Sequence, residues 1–570
     1  MWVSYKNKGS ENYFAGGRTL KWYTIAGSIF GTNISALHLV GMLGIGFSVG
    51  FAQSHFELLA IFAIVALAFI FIPLYRKVKI FTLSQFLELR FNTHVRLTYS
   101  VMMMLLILVQ MVASFYIGAR AIALLTKGSN FPVSYETAIM LQAIIICSYT
   151  MFGGLRAVMI TESFQTIFII IAAIILFGFT FSQPEINGFS GLMQLEKSMD
   201  VSMQKMHLYL PSNHESLPWT GVFTGLMVLH FFYWNSNQFI VQRIIAAEND
   251  KQAQLGVLGA GFLKLLIPFL TISTGVAAAH IFQGRFKDMT ILPDDAFLYL
   301  VDAVIPKLWG LTGLLLAGVA AAVFSTIDAM MNATSTLFTI DIYKKYIRPN
   351  ASDSSVLKIG RIAVLVMAVF ASLLAILTHN PNSADNFFLT VSSRGSYFTP
   401  GIIIAFFGGI VIKRASAKGA LLSILSAPIF SLLIESAYND YLTRYPLFVD
   451  LFGLKLNFLH RIFFASILSF LVFLLFLKKK SEENNLLTLS FKSMKNIFIR
   501  TGVFIFCNLA LALLITHDYI TNRDAAWISS ILSFVIFCFG IHLKEVSRHL
   551  AKIFAGVLIA ITTFILFWFW

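Results

Sequence analysis

Apolar stretches long enough to cross a bilayer recur from Lys21 to the last residue, Trp570. A membrane-spanning helix needs about 20 consecutive, mainly apolar residues. The short alternating segments of a membrane β-barrel are missing. The pattern predicts an all-α polytopic membrane protein of about 15 spans, centred near residues 35, 65, 110, 142, 170, 230, 268, 325, 367, 400, 427, 468, 507, 534 and 561. Two of these segments read as broken. The first, GTNISALHLVGMLGIGFSVG, carries glycine at 31, 41, 44, 46 and 50, and the sixth, LHFFYWNSNQFIVQR, clusters Asn235, Ser236 and Asn237 in mid-span. Such residues weaken a helix interior, and free backbone at membrane depth is tolerated only in a cavity or inside protein. Breaks five segments apart are what an inverted five-plus-five repeat produces, with a binding site between them. Glycines also permit close helix packing, so by themselves they fit either reading.

Composition sharpens the class. The 570 residues are 58% hydrophobic and 12% charged, with mean hydropathy +0.79, which excludes a water-soluble globule. The net charge of +15 is explained by topology and does not point to nucleic acid. With the N-terminus placed in the cytoplasm, the inner loops, among them 243–252 with Arg243, hold 29 Lys and Arg and the outer loops 11, as the positive-inside rule requires. Cys147, Cys507 and Cys538 all fall inside apolar runs and read as core residues, with no disulfide framework or metal site. The polar N-terminus, MWVSYKNKGSENYF, shows no cleavable signal. The basic stretch KKKSEENN from Lys478 divides twelve segments from a last three.

Polar residues at bilayer depth are expensive and mark function. Glu57, Glu162, Lys264, Asp328 and Arg394 fall within spans, with His38 and His230 beside them. In AAAVFSTIDAMMN, Ser325 and Asp328 are three residues apart and share a helix face, with Thr326 adjacent. Hydroxyls facing the free carbonyls of a broken helix offer a hard cation oxygen ligands without full charge. Alternatively, each hydroxyl bonds back to a carbonyl one turn earlier.

Four stretches carry a resemblance: FAGGRTLKWYTIAGSIFGTNISALHLVGMLGIGFSVG, FGGLRAVMITESFQTIF, YWNSNQFIVQRIIAAENDKQAQLGVLGAGFLK and GLLLAGVAAAVFSTIDAMMNATSTLFTIDIYKKYI. Together they resemble the sodium/solute symporter family, most closely its glucose/galactose branch, over about residues 11–420. The resemblance implies a LeuT-type fold of ten helices in two inverted halves, with alternating access and sodium as the coupling ion, one or two per cycle. It divides the chain into a cytoplasmic segment 1–20, a transport core 21–412, two further helices in 413–477, a basic loop 478–500 and three C-terminal helices in 501–570. Relatives usually carry one more helix ahead of the FAGG motif, outside that core.

Carried over position by position, the resemblance implies a sodium site at the carbonyls of Gly31, Ile34 and Ala322 and the hydroxyls of Ser325 and Thr326. A second cation site of some relatives falls on Glu162, Ser325 and Asp328, where a carboxylate stands in place of the usual hydroxyl. Asp328 then binds sodium, binds a proton or pairs with Arg394. The solute contacts fall on Asn33, His38, Glu57, His230, Tyr233, Trp234, Lys264 and Ser392, with Phe56 and Tyr233 as gates. Carboxylate, ammonium, imidazole and an aromatic floor suit a sugar or polyol. Ser392, His230 and Ala60 depart from the sugar pattern, and Arg394 raises the alternative of an acidic solute such as sialic acid.

The expected protein is a sodium-coupled importer of the plasma (inner) membrane, not an enzyme, since no nucleophile–base pair or nucleotide loop is evident. A proton-coupled carrier using Glu162, Asp328, His38 and His230 is the nearest rival. A solute sensor and a channel fit less well, for want of an output domain or a filter. The sequence leaves the solute and the oligomeric state open.

Overall fold

The computed structural model describes residues 9–126, 131–286, 289–307, 310–378, 387–479, 487–488, 491–540 and 547–570. Most of the linker within 480–490, the first eight residues and part of the last basic loop lie outside the described residues. Among the described residues the chain is helical, with two isolated β-bridges, Leu20 to Ala247 and Leu210 to Pro218. Ten of these helices are long and apolar enough to cross a membrane, or twelve if each sharply bent pair counts as one span.

In chain order, α1 (Trp22–Asn33) and α2 (Met42–Ser48) form the first segment, followed by α3 (Phe51–Lys77), α4 (Thr93–Thr126) and α5 (Tyr135–Phe181). The sixth segment ends in α6 (Met227–Asn235) and α7 (Gln238–Ile245). Next come α8 (Asp250–Arg285), α9 (Leu311–Ile347), α10 (Asp353–Leu377), and the bent pair α11 (Phe387–Gly395) and α12 (Thr399–Val411). The C-terminal part holds α13 (Ala417–Asp440), α14 (Phe458–Leu475), α15 (Phe491–Thr516), α16 (Asn522–Gly540) and α17 (Ser547–Trp568).

Fourteen of the fifteen expected centres fall within helices and the first, residue 35, falls at a break, yet fewer helices than fifteen are long and apolar enough to span a membrane. The segments expected near 142 and 170 merge into the 47 residues of α5, interrupted at Gly154 (φ 61°, ψ −174°). The sixth is cut short at Ser236. Helix starts follow from local chemistry: the side chains of Ser134, Asn249, Ser352 and Ser416 accept from backbone N–H groups three residues on, closing the first turn.

Both expected breaks are present. α1 and the stretch Leu37–Ser48 that ends in α2 are bent by 58° around Ile34 (φ −85°, ψ 86°), and α6 stops at Ser236 (φ −126°, ψ 4°) before Asn237 restarts the chain as α7. The sequence reading missed a third break: α11 and α12 meet at 56°. Freed carbonyls at the sixth-segment break are met by tyrosines. Tyr75 donates to Asn235 O at 2.7 Å and Tyr99 to Ser236 O at 2.8 Å, both from fully buried rings. Glycine serves packing as well: a Cβ on Gly46 would lie 2.3 Å from the Ile272 carbonyl oxygen, so α2 and α8 touch backbone to backbone.

Around these breaks, α9 packs along α5 and α4, and α1 lies between α8 and α5. At the end of α9, buried Asp341 accepts from Arg96 (2.7 Å), Ser100 (2.7 Å) and Thr82 (2.9 Å), tying α4 and the short helix Leu83–Arg90 to it. That is the structural work of Asp341 in the TIDIYKKY ending. At the C-terminus, α17 packs on α8 and α3, where Leu208 N–H donates to Phe569 O at 3.1 Å.

Gly154 occupies a backbone region that only glycine enters readily, and a Cβ there would lie 2.9 Å from Tyr13 Cα. Gly154→Ala is expected to lower stability by at least ~1 kcal/mol, read as a lower melting temperature of the detergent-solubilised protein.

Candidate functional site: a hydroxyl pair beside a polar cavity

Midway along α9, Ser325 and Thr326 are buried and reach across to the last turn of α1. Ser325 Oγ donates to the Gly31 carbonyl at 2.7 Å, and Thr326 Oγ1 lies 3.2 Å from the Thr32 carbonyl. Both also bond back to Ala322 O, at 3.2 and 3.0 Å. The back-bonding alternative and the cross-helix contact therefore hold together. Gly31 permits the approach: a Cβ there would lie 2.7 Å from Thr166 Oγ1 on α5. The geometry gathers the Gly31 and Ala322 carbonyls and two hydroxyls beside Ile34, where α1 breaks. This all-oxygen, uncharged donor set suits a hard monovalent cation.

Behind this pair lies a buried charge cluster. Glu162 on α5 pairs with the Arg243 guanidinium of α7 and accepts from Ser28 and, at 3.1 Å, from Thr32. Asp328 accepts from Tyr149 at 2.7 Å and leaves Oδ1 without a hydrogen-bond partner among the described residues. Two sequence expectations change here. Arg243, counted with a cytoplasmic loop, is only 1% exposed. Arg394 is exposed at the end of α11, and Asp328 meets Tyr149 in place of an Arg394 ion pair.

On the other side of the hydroxyl pair is a cavity of about 130 Å³. Lys264 Nζ sits 2.6 Å from Glu57 Oε2 and 2.9 Å from Asn33 Oδ1, and Asn33 donates to Tyr233 Oη at 3.2 Å. His38 Nε2 is 3.8 Å from Glu57 Oε1, and the ammonium also faces the Trp234 ring, 5.7 Å from its centroid. His230 and Ser392 line the same space. Phe56 closes edge-on against Phe388, with centroids 5.2 Å apart, and Phe388 meets His38 at 5.6 Å. Tyr233 and Trp234 form an aromatic corner, centroids 5.7 Å apart. Thr32 and Thr326 line this cavity too, so the hydroxyl pair and the cavity share a wall.

The cavity thus gathers Asn33, His38, Phe56, Glu57, His230, Tyr233, Trp234, Lys264 and Ser392, and Arg394 is not part of its lining. The sequence reading missed Phe388, Tyr149 and the role of Arg243. Tyr149 and Arg243 had a signal, as polar groups in or beside apolar runs. Phe388 had none, being one of 57 phenylalanines.

The sodium:solute symporter family model matches residues 13–426. The chain is 30% identical to the sodium/glucose cotransporter of Vibrio parahaemolyticus over 458 residues, covering 76% of this chain and 82% of that protein. It is 29% identical to the mouse sodium/myo-inositol cotransporter 2 over 501 residues, covering 82% of this chain and 72% of that one. Its fold matches a solved Na+-coupled sialic acid symporter, in a substrate-bound outward-open state, with a TM-score of 0.71 over 84% of this chain and 95% of that one, at 21% identity.

Glu162→Ala leaves the Arg243 charge buried without its carboxylate, an imbalance worth ~3–5 kcal/mol. Folded yield by size-exclusion chromatography is expected to collapse. Removing both charges, as Glu162→Gln with Arg243→Met, is expected to recover most of it.

Proposed function

The chain belongs to the sodium:solute symporter family, and from that premise we propose that it imports an uncharged, polyhydroxylated solute, a sugar or polyol, across the plasma membrane. Sodium is the coupling ion of the family. The observation that carries the reading of the solute is the pairing of Lys264 with Glu57 at 2.6 Å inside the cavity. The ammonium there is already matched by a carboxylate, so the lining offers hydrogen bonds without net charge. An acidic solute would need a second cation, and Arg394 lies outside the lining. Likeness to the sialic acid symporter is a likeness of fold and does not alter this balance.

The proposed sodium position is between the Gly31, Ile34 and Ala322 carbonyls and the Ser325 and Thr326 hydroxyls. A cation there holds the broken end of α1 against α9, and through Thr32 and Thr326 it shapes the adjoining cavity. Glu57 and Asn33 then accept from solute hydroxyls, Lys264 donates, and His38 or His230 does either. Tyr233 and Trp234 cover an apolar ring face, and Phe56 with Phe388 closes the far side. Glu162 is occupied by Arg243, Ser28 and Thr32, which leaves Asp328 as the group that would hold a second cation with Ser325. The core 21–412 carries this machinery, with the N-terminus in the cytoplasm.

Ser325→Ala combined with Thr326→Ala is expected to raise the sodium concentration for half-maximal uptake at least tenfold, equivalent to ~1.4 kcal/mol. Sodium titration of solute uptake into proteoliposomes measures it, and an unchanged titration curve for a well-folded variant would remove the ligand assignment. Glu57→Gln, which keeps an acceptor for Lys264, is expected to weaken binding of D-glucose or myo-inositol at least tenfold, ~1.4 kcal/mol, while sodium still shifts the melting temperature. Arg394→Ala should leave uptake of a neutral solute unchanged; a loss confined to acidic compounds would overturn the neutral-solute reading.

A further inference from the structure

We propose that Gln110 on α4 reads a hydroxyl of the bound solute from the wall facing Glu57 and Lys264, and so decides which polyols the cavity accepts. The proposal rests on the sugar or polyol reading given above. Leu106, Gln110 and Ser114 recur every fourth residue, so they form one helical face, and all three line the cavity. Ser114 Oγ turns back to the Gln110 carbonyl at 2.9 Å, which leaves the Gln110 amide as the polar group this face offers. Its Oε1 is buried and has no hydrogen-bond partner among the described residues.

A buried acceptor with nothing to meet it weakens folding, so its presence calls for a ligand. Two other orphaned atoms belong to the same cavity, Glu57 Oε1 and His230 Nε2. They come from α3 and α6, which pack against each other, whereas α4 packs against α5, α9 and α11. A solute bonded to both Glu57 and Gln110 therefore bridges α3 and α4, adding to the bond by which Tyr99 of α4 already holds the end of α6. The amide offers an acceptor and a donor, as an alcohol does, but brings no charge to balance a carboxylate. A solute with hydroxyls at both ends satisfies both walls, and a short polyol reaches only one.

The test uses the full-length protein in proteoliposomes, with D-glucose, D-galactose, myo-inositol and a series of their monodeoxy analogues competing for uptake. In the wild type, at least one deoxy position is expected to weaken competition tenfold or more. Gln110→Met, which keeps length and removes the amide, is expected to reduce that penalty below twofold while other penalties persist. Without solute, its melting temperature should equal or exceed that of the wild type, because an unmet acceptor has been removed. The proposal falls if every deoxy penalty survives in Gln110→Met, or if that variant melts lower without solute, which would mark a structural role. If the wild type takes up none of the parent compounds, the sugar or polyol reading falls and the proposal with it.

Discussion

In a bilayer, a polar group cut loose from its helix has no water to turn to. That constraint organises this molecule. At the first and sixth segments a broken helix releases carbonyls, and side chains from elsewhere in the chain answer them. Tyr75 and Tyr99 answer the sixth-segment break. Ser325 and Thr326 answer the first. The difference between the two answers is chemical. Tyrosine hydroxyls on large buried rings fix the sixth-segment break in place. Two small hydroxyls on a neighbouring helix form a contact that a cation can enter, because their oxygens and the carbonyls they meet are all ligands for it.

The buried charges obey the same constraint. Glu162 and Arg243 neutralise each other in the protein interior, with Ser28 and Thr32 filling further lone pairs. Such a pair adds little stability relative to apolar residues of similar volume, but losing one member is destabilising. It joins α5 to α7 immediately beside the hydroxyl pair. The cavity repeats the arrangement with Glu57 and Lys264, joining α3 to α8. Charges that could have repelled solute or ion are matched before either arrives.

Much of this was legible in the sequence, and the limits have physical causes. Hydrophobic runs announce helices because the bilayer thickness fixes their length, and the AsnSerAsn cluster at 235–237 announces a break because those residues weaken helices. The break between α11 and α12 was not seen, because SSRGSYFTP reads equally as an ordinary turn. Arg243 was assigned to a loop because the apolar run ends near it, while the restarted helix α7 carries it into the interior. Arg394 was expected at depth because it falls inside the apolar stretch around residue 400, yet it lies exposed at the end of α11. Tyr149 and Asp328 are 179 residues apart, and no local pattern pairs them. Residues whose role depends on backbone chemistry were readable; residues whose role depends on which distant helix lies alongside were not.

The wall shared through Thr32 and Thr326 bears on pharmacology. A compound lodged in the cavity would lie between the proposed ion position and the aromatic pair Phe56 and Phe388 that closes the far side. Its departure and the ion's would then be linked, so raising salt would lengthen its residence instead of displacing it. Blockers of this carrier would be most effective in saline surroundings and weakest when sodium is scarce.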